Sequence, residues 1–184
     1  MDVKRAIAVV VAAVVFSAVA YGQAPGDGAQ GVAPSAAPEP VFRSPFSLRL
    51  AVDKDHYYEQ KFDKVPYVAD NDVYLFAGDA FGINLVVADG KVTGIVYQPD
   101  TKKADVLLRF SQEKSKSGNM MMLVVQSKLK QKLFYEALMT VPQKDGIYKT
   151  NMLPVEAGLV SYESWPHPIV QLVLKNFRFS ESGE

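Results

Sequence analysis

No cysteine occurs among the 184 residues, and histidine is almost as scarce, with two. Without thiols the chain has no disulfides, no Cys-based zinc site and no thiolate nucleophile, so its core alone must hold it together. A zinc or copper site built on His56 and His167 would have to be completed by carboxylates or methionines. Neither sign of charge is in excess, because 20 Lys and Arg stand against 20 Asp and Glu. A near-neutral chain has no global field with which to draw in nucleic acid or anionic lipid. There is no Gly-rich phosphate loop and no G-x-S-x-G elbow. The one long apolar run, Ala6 to Ala20, falls short of the roughly 18 to 20 residues that cross a bilayer with margin.

That run defines the compartment expected for the chain. Lys4 and Arg5 precede it, and Ala18 and Ala20 form an A-x-A pattern before Tyr21, with Ala20 and Gly22 as a competing site before Gln23. Cationic flank, apolar stretch and small residues together are the pattern of a secretory signal peptide, here residues 1–22. Cleavage removes Lys4, Arg5 and Asp2, leaving 18 basic and 19 acidic residues and no stable membrane span. From Gln23 to Pro40 the chain is mostly Ala, Gly and Pro, too small to offset its ordering entropy by burial, and is expected to be a disordered tether. The remaining 41–184 suit a single domain. An exported chain without disulfides points to a bacterial periplasm or to secretion.

Strand periodicity dominates from Val41 onward. Phe46, Leu48, Leu50 and Val52 alternate with Ser47, Arg49, Ala51 and Asp53; a second strand through His56 to Phe62 carries the adjacent pair Tyr57 and Tyr58, one of which must face outward. Pro66 and Ala69 to Asp72 read as loop, and Val73 to Ala77 as a short strand. Phe81, Ile83, Leu85 and Val87 alternate cleanly, and Asp89-Gly90 closes a hairpin into Lys91 to Gln98. A turn at Gln98 to Thr101 leads to alternation through Ala104, Val106, Leu108 and Phe110. Ser111 to Asn119 reads as a polar loop, and Met120 to Leu129 as a strand with Met121, Leu123, Val125 and Leu129 inward.

Lys130 to Val141 fits both a helix and a strand; the strands around it and a short hairpin connection at Lys130-Gln131 favour strand. Asp145-Gly146 marks a turn. Leu153 to Pro168 is expected to be a packed, proline-stiffened crossover that buries Trp165 and delivers the chain into a last strand, Ile169 to Phe179. In that strand Val170, Leu172 and Leu174 share one parity while Phe177 and Phe179 take the other, which calls for a bulge near Lys175-Asn176. The expectation is an all-β chain: a single antiparallel β-sandwich of about eight to ten strands, Ig-like in architecture, with a closed barrel as the alternative.

Candidate chemistry is sparse. Asp53, Asp55, Asp70 and Asp72 form acidic pairs, but neither continues into a calcium-binding loop, so solvated turn carboxylates are the simpler reading. Met120, Met121 and Met122 are consecutive, and consecutive strand residues point to opposite faces, so they cannot converge on one metal ion. No cofactor or metal is expected. His167 lies close in sequence to Ser164 and Glu163, which makes a small periplasmic hydrolase the rival reading, although residues on an extended, proline-bounded segment tend to point apart. Lys114, Lys116, Lys128, Lys130 and Lys132 form a local basic region without the interleaved aromatics that stack on bases. The expected function is a non-enzymatic binding or assembly module of the cell envelope, holding a protein or saccharide. Its candidate surface is Tyr57, Tyr58, Trp165, His167, Lys128, Lys130 and Lys132.

Overall fold

The computed structural model describes residues 39–115 and 118–179; the expected signal peptide, nearly all of the tether, Lys116 and the last five residues lie outside them. The described residues contain twelve strands and no helix. A first hairpin joins β1 (Phe46–Ala51) to β2 (Tyr57–Phe62). One five-stranded antiparallel sheet takes its strands from β3 (Val68–Ala69), β4 (Asp72–Leu75), β9 (Phe134–Thr140), β10 (Tyr148–Thr150) and β12 (Gln171–Arg178), in the order β10-β9-β12-β4-β3. The other is built from β5 (Asp79–Ala88), β6 (Lys91–Gln98), β7 (Val106–Ser115), β8 (Gly118–Ser127) and β11 (Val160–Trp165), in the order β11-β8-β7-β5-β6. We call them the β12 sheet and the β7 sheet.

Alternation explains why the two sheets share one core. Val73, Leu75, Ala137, Leu172 and Leu174 of the β12 sheet and Ile83, Leu108, Phe110, Met121, Leu123 and Val125 of the β7 sheet belong to the same buried cluster, an arrangement consistent with a β-sandwich. The three methionines split as strand geometry requires: Met121 is fully buried, and Met120 and Met122 are half-buried on the other face. Leu48 and Leu50 of β1 add to the core, and the Gln112 side chain clips the end of that hairpin to β7. Its amide donates to Ala51 O at 2.9 Å and accepts from Ala51 N at 2.8 Å. Gly82 is where a side chain would be intolerable, since a Cβ there would lie 2.3 Å from that of Ala104. The glycine lets the loop after β6 fold back over β5.

Several local expectations hold. Lys130 to Val141 holds a strand and no helix, although the strand, β9, covers only Phe134–Thr140. Asp89 and Gly90 both take positive φ in the β5–β6 turn, the geometry of a two-residue type I′ hairpin. The register between β12 and β9 shifts between Lys175 and Arg178, with Asn176 at φ 54°, so the parity switch is a bulge.

Others are corrected. Ala69 to Asp72 is not an open loop: Asp70 and Asn71 adopt φ 52° and 62° and close a tight hairpin between β3 and β4. Asp and Asn tolerate the left-handed region because their short polar side chains bond locally. Ser111 to Asn119 is not a polar loop either, since β7 and β8 stay in register out to Ser115↔Gly118. Backbone pairing continues there although both faces are polar, because the ladder itself needs no apolar side chains. The turn at Gln98 to Thr101 sits two residues later, with Lys103 N donating to Asp100 O, where the Asp100 carboxylate also holds Lys102 N. Lys130-Gln131 makes no hairpin, because β9 pairs with β10 and β12 and the chain crosses between sheets instead. Finally, Leu153 to Pro168 is more than a crossover; it contains β11, which extends the β7 sheet along β8.

Candidate functional site

Trp165 ends β11 and turns its indole into the core, leaving 8% exposed. Its ring meets Phe110 edge-on at 6.4 Å between centroids, and its Nε1–H donates to Thr150 Oγ1 at 3.0 Å. The apolar body is buried and the single polar atom is satisfied, as a buried indole requires. Pro166, His167 and Pro168 then leave the strand and run between two concavities.

The first concavity, about 260 Å³, is lined by Val52, Met139, Val141, Pro142, Gln143, Lys144, Tyr148, His167 and Pro168. Most of that lining is apolar, and Lys144, His167 and Gln143 supply the polar groups. The second, about 490 Å³, is more polar, with Asp53, Lys54, Tyr57, Lys114, Asn119 and Pro166 among its walls. Val52 belongs to both. The first volume lies just below, and the second within, the roughly 300 to 1,000 Å³ typical of ligand clefts.

The Asp53 carboxylate organises the rim of the second cleft. It accepts from the backbone N–H groups of Asp55 and His56 at 2.8 and 2.9 Å, and His56 Nδ1 lies 2.8 Å from its other oxygen. The Asp55 amide first, and then the His56 ring, hold this carboxyl below the ordinary range. Tyr57 is 53% exposed, and the Arg49 guanidinium sits 4.1 Å from its ring centroid, fixing the ring by a cation–π contact. Tyr58 is the half-buried member of the pair, and its hydroxyl bonds Gln60.

The remaining candidate residues are dispersed. Lys128 is exposed, with its ammonium donating to the carbonyls of Thr101 and Lys102. Lys132 pairs with Glu156 at 2.6 Å, and Lys130 is exposed. None of the three lines either concavity. His167 Nδ1 has the carbonyl of its neighbour Pro168 at 3.3 Å. Glu163 Oε1 accepts from Leu153 N at 2.9 Å, and Ser164 lies at the opposite strand parity, exposed on the outer face. Among the described residues no hydrogen bond links His167, Ser164 and Glu163 to one another, and no group of three or more His, Asp or Glu side chains is placed to hold a metal ion.

A buried polar neighbourhood that local sequence pattern does not reveal surrounds Arg43, which is 7% exposed. Its guanidinium donates to Pro66 O at 2.5 Å and Tyr74 O at 2.6 Å, pairs with Asp79 Oδ2 at 2.6 Å, and lies 4.0 Å from the centroid of the Tyr67 ring. The same Asp79 oxygen accepts from Phe76 N at 2.8 Å. Backbone bonds from Arg43 N to Val65 O and from Tyr67 N to Val41 O complete the clamp. This cluster fastens the start of the described chain to the core. Nothing but a lone Arg beside a Pro-rich stretch marked it in the sequence.

Comparison of the chain with models of protein families, with curated proteins and with solved structures finds no match in any of the three.

Proposed function

We propose that this chain is an exported, non-enzymatic binding or assembly module of the bacterial cell envelope, an Ig-like sandwich carried on an Ala/Gly/Pro tether. The observation that carries the proposal is the pair of adjoining concavities divided by Pro166 and His167. An apolar hollow beside a polar cleft suits a partner with an apolar element next to hydroxyl or charged groups, as a protein loop or a substituted saccharide presents. Tyr57, held by Arg49 and exposed at the polar cleft, supplies the flat face on which a sugar ring or a side chain rests. Export is supported by the pattern of residues 1–22, and the tether by the composition of 23–40.

Co-purification from envelope extract tests this reading, with Tyr57→Ala and His167→Ala run beside the wild type. Both positions touch solvent, so both variants should keep the wild-type urea midpoint while retention of the partner falls at least tenfold. Equal retention by all three proteins would remove the two concavities as the site. A mature chain that begins between Tyr21 and Ala24 by intact mass is the matching result for export.

A further inference from the structure

Each five-stranded sheet ends in two strands with one side open, and three of those four edges are blunted. β3 is two residues long, and β10 is three, with Lys149 at its centre held by Glu136 at 3.0 Å. β6 is capped from the opposite sheet: Asn71 Oδ1 accepts from Ile95 N at 3.1 Å, Asn71 Nδ2 reaches Thr93 O, and a bulge shifts the register at Val86/Val87. Short strands, lysines, bulges and side-chain caps are the devices by which proteins stop edges from pairing.

β11 has none of them. It runs six residues in unbroken register with β8, from Val160↔Gln126 to Trp165↔Met121, and contains no lysine. Ser127 N donates to Leu159 O at 2.9 Å, which sets the hydrogen-bonding phase: Leu159, Ser161, Glu163 and Trp165 turn their backbone groups toward β8. Val160, Tyr162 and Ser164 therefore direct theirs at the open side, where no backbone partner is found among the described residues. The side chains around that edge are apolar and exposed, with Tyr162 and Leu153 each at 67% and Leu159 at 57%. The single charge of the strand, Glu163, is turned back onto Leu153 N.

We propose that β11 is a homotypic pairing edge, on which a second copy of this chain adds its own β11 antiparallel about a two-fold axis at Tyr162. The phase and the sequence both fit that partner. Residues 160, 162 and 164 are the outward set, and a two-fold at Tyr162 places Val160 opposite Ser164 of the other copy and Tyr162 opposite itself, which matches outward groups to outward groups for about six backbone bonds. The two tyrosines meet as a cross-strand aromatic pair on the outer face. Glu163 falls opposite a serine, so no like charges face each other. Pro166, which has no N–H, ends the ladder. The two β7 sheets become one continuous sheet through the interface.

The absence of cysteine makes the register testable in the full chain by single Cys variants. A hydrogen-bonded antiparallel pair has its Cα atoms about 5.5 Å apart, within disulfide reach, whereas residue 160 and its copy would be roughly 14 Å apart. Mild oxidation should convert Tyr162→Cys to a disulfide dimer on a non-reducing gel and leave Val160→Cys largely monomeric. Light scattering of the wild type should show mass rising from one chain toward two with concentration. Tyr162→Lys and Ser164→Pro should remain at one chain; the proline removes only an outward N–H, and if it also unfolds the protein, Tyr162→Lys decides. Two results overturn the proposal: a wild type of single-chain mass at every concentration, or Val160→Cys crosslinking as readily as Tyr162→Cys.

Discussion

Arg43 and Trp165 are two large side chains with polar ends, both more than nine-tenths buried, and they are anchored by opposite means. Arg43 is a charge brought into the interior and surrounded by two carbonyls, a carboxylate and a tyrosine face. Trp165 is an apolar plate with one donor, met by one hydroxyl. Phe110 lies between them, since it stands opposite Asp79 in the β5–β7 ladder and its ring meets the indole. The first anchor depends on complete satisfaction and the second on filled volume, so they should fail differently.

The largest effect is expected from Arg43→Ala, which leaves Asp79 and two carbonyls without their partner and should cost about 3 to 5 kcal/mol by urea denaturation. Arg43→Lys should recover only part of this, because an ammonium cannot reproduce the planar fork. Full rescue by lysine would show that charge alone, without bidentate geometry, holds the clamp. Trp165→Ala should come next at about 3 to 4 kcal/mol from lost volume, and Trp165→Phe should recover most of that while leaving Thr150 Oγ1 unpaired. If Trp165→Ala melts like the wild type but no longer retains a protein that the wild type captures, the indole is a recognition anchor rather than core.

A smaller effect of opposite sign is expected at Tyr135. Its hydroxyl is buried without a hydrogen-bond partner among the described residues, and burial, with Glu163 nearby, pushes its ionisation upward. Tyr135→Phe removes that unpaired group and should raise stability by about 1 kcal/mol. Loss of stability would mean that the hydroxyl finds a partner in solution, such as a bound water.

Asp72 offers a contrast with Asp79, because it meets Lys175 at 3.6 Å where Asp79 meets a buried guanidinium at 2.6 Å. Burial raises the Asp72 carboxyl above its ordinary range despite the pull of Lys175. The folded state therefore holds this proton more tightly than the unfolded chain does. Its contribution is present below the unfolded value and is lost as pH rises through the folded one. Asp72→Asn should flatten the stability profile across the carboxylate range, and an unchanged slope would count against the burial cause. Smallest of all, His167→Ala should shift the urea midpoint by less than about 0.5 kcal/mol equivalent, since His167 sits half-exposed on a loop and among the described residues bonds only its neighbour.

Strand existence was legible from local pattern. Alternation at Phe81 to Leu85 and at Met121 to Val125, the Asp89-Gly90 turn and the parity switch before Phe177 each rest on pleat geometry or φ preference, which neighbouring residues determine. The burial of Trp165 was legible too, because so large an apolar side chain beside two prolines has few other places to go. The candidate site was legible only in part: Tyr57 and His167 do line concavities, but Val52, Met139 and Tyr148 come from separate strands and loops that no spacing connects.

Local pattern thus settles the all-β class, most strand positions and their inward faces, because these follow from interactions between residues a few positions apart. Long-range contacts are what put β8 and β9 in different sheets, cap β6 with Asn71 while β11 stays bare among the described residues, and make Arg43 an interior residue. Each of those depends on which distant groups meet: Arg43 is 36 residues from Asp79, and Asn71 is 24 from Ile95. A charge or an amide is buried only when its partners are already in place, and chain pattern carries no record of partners so far away.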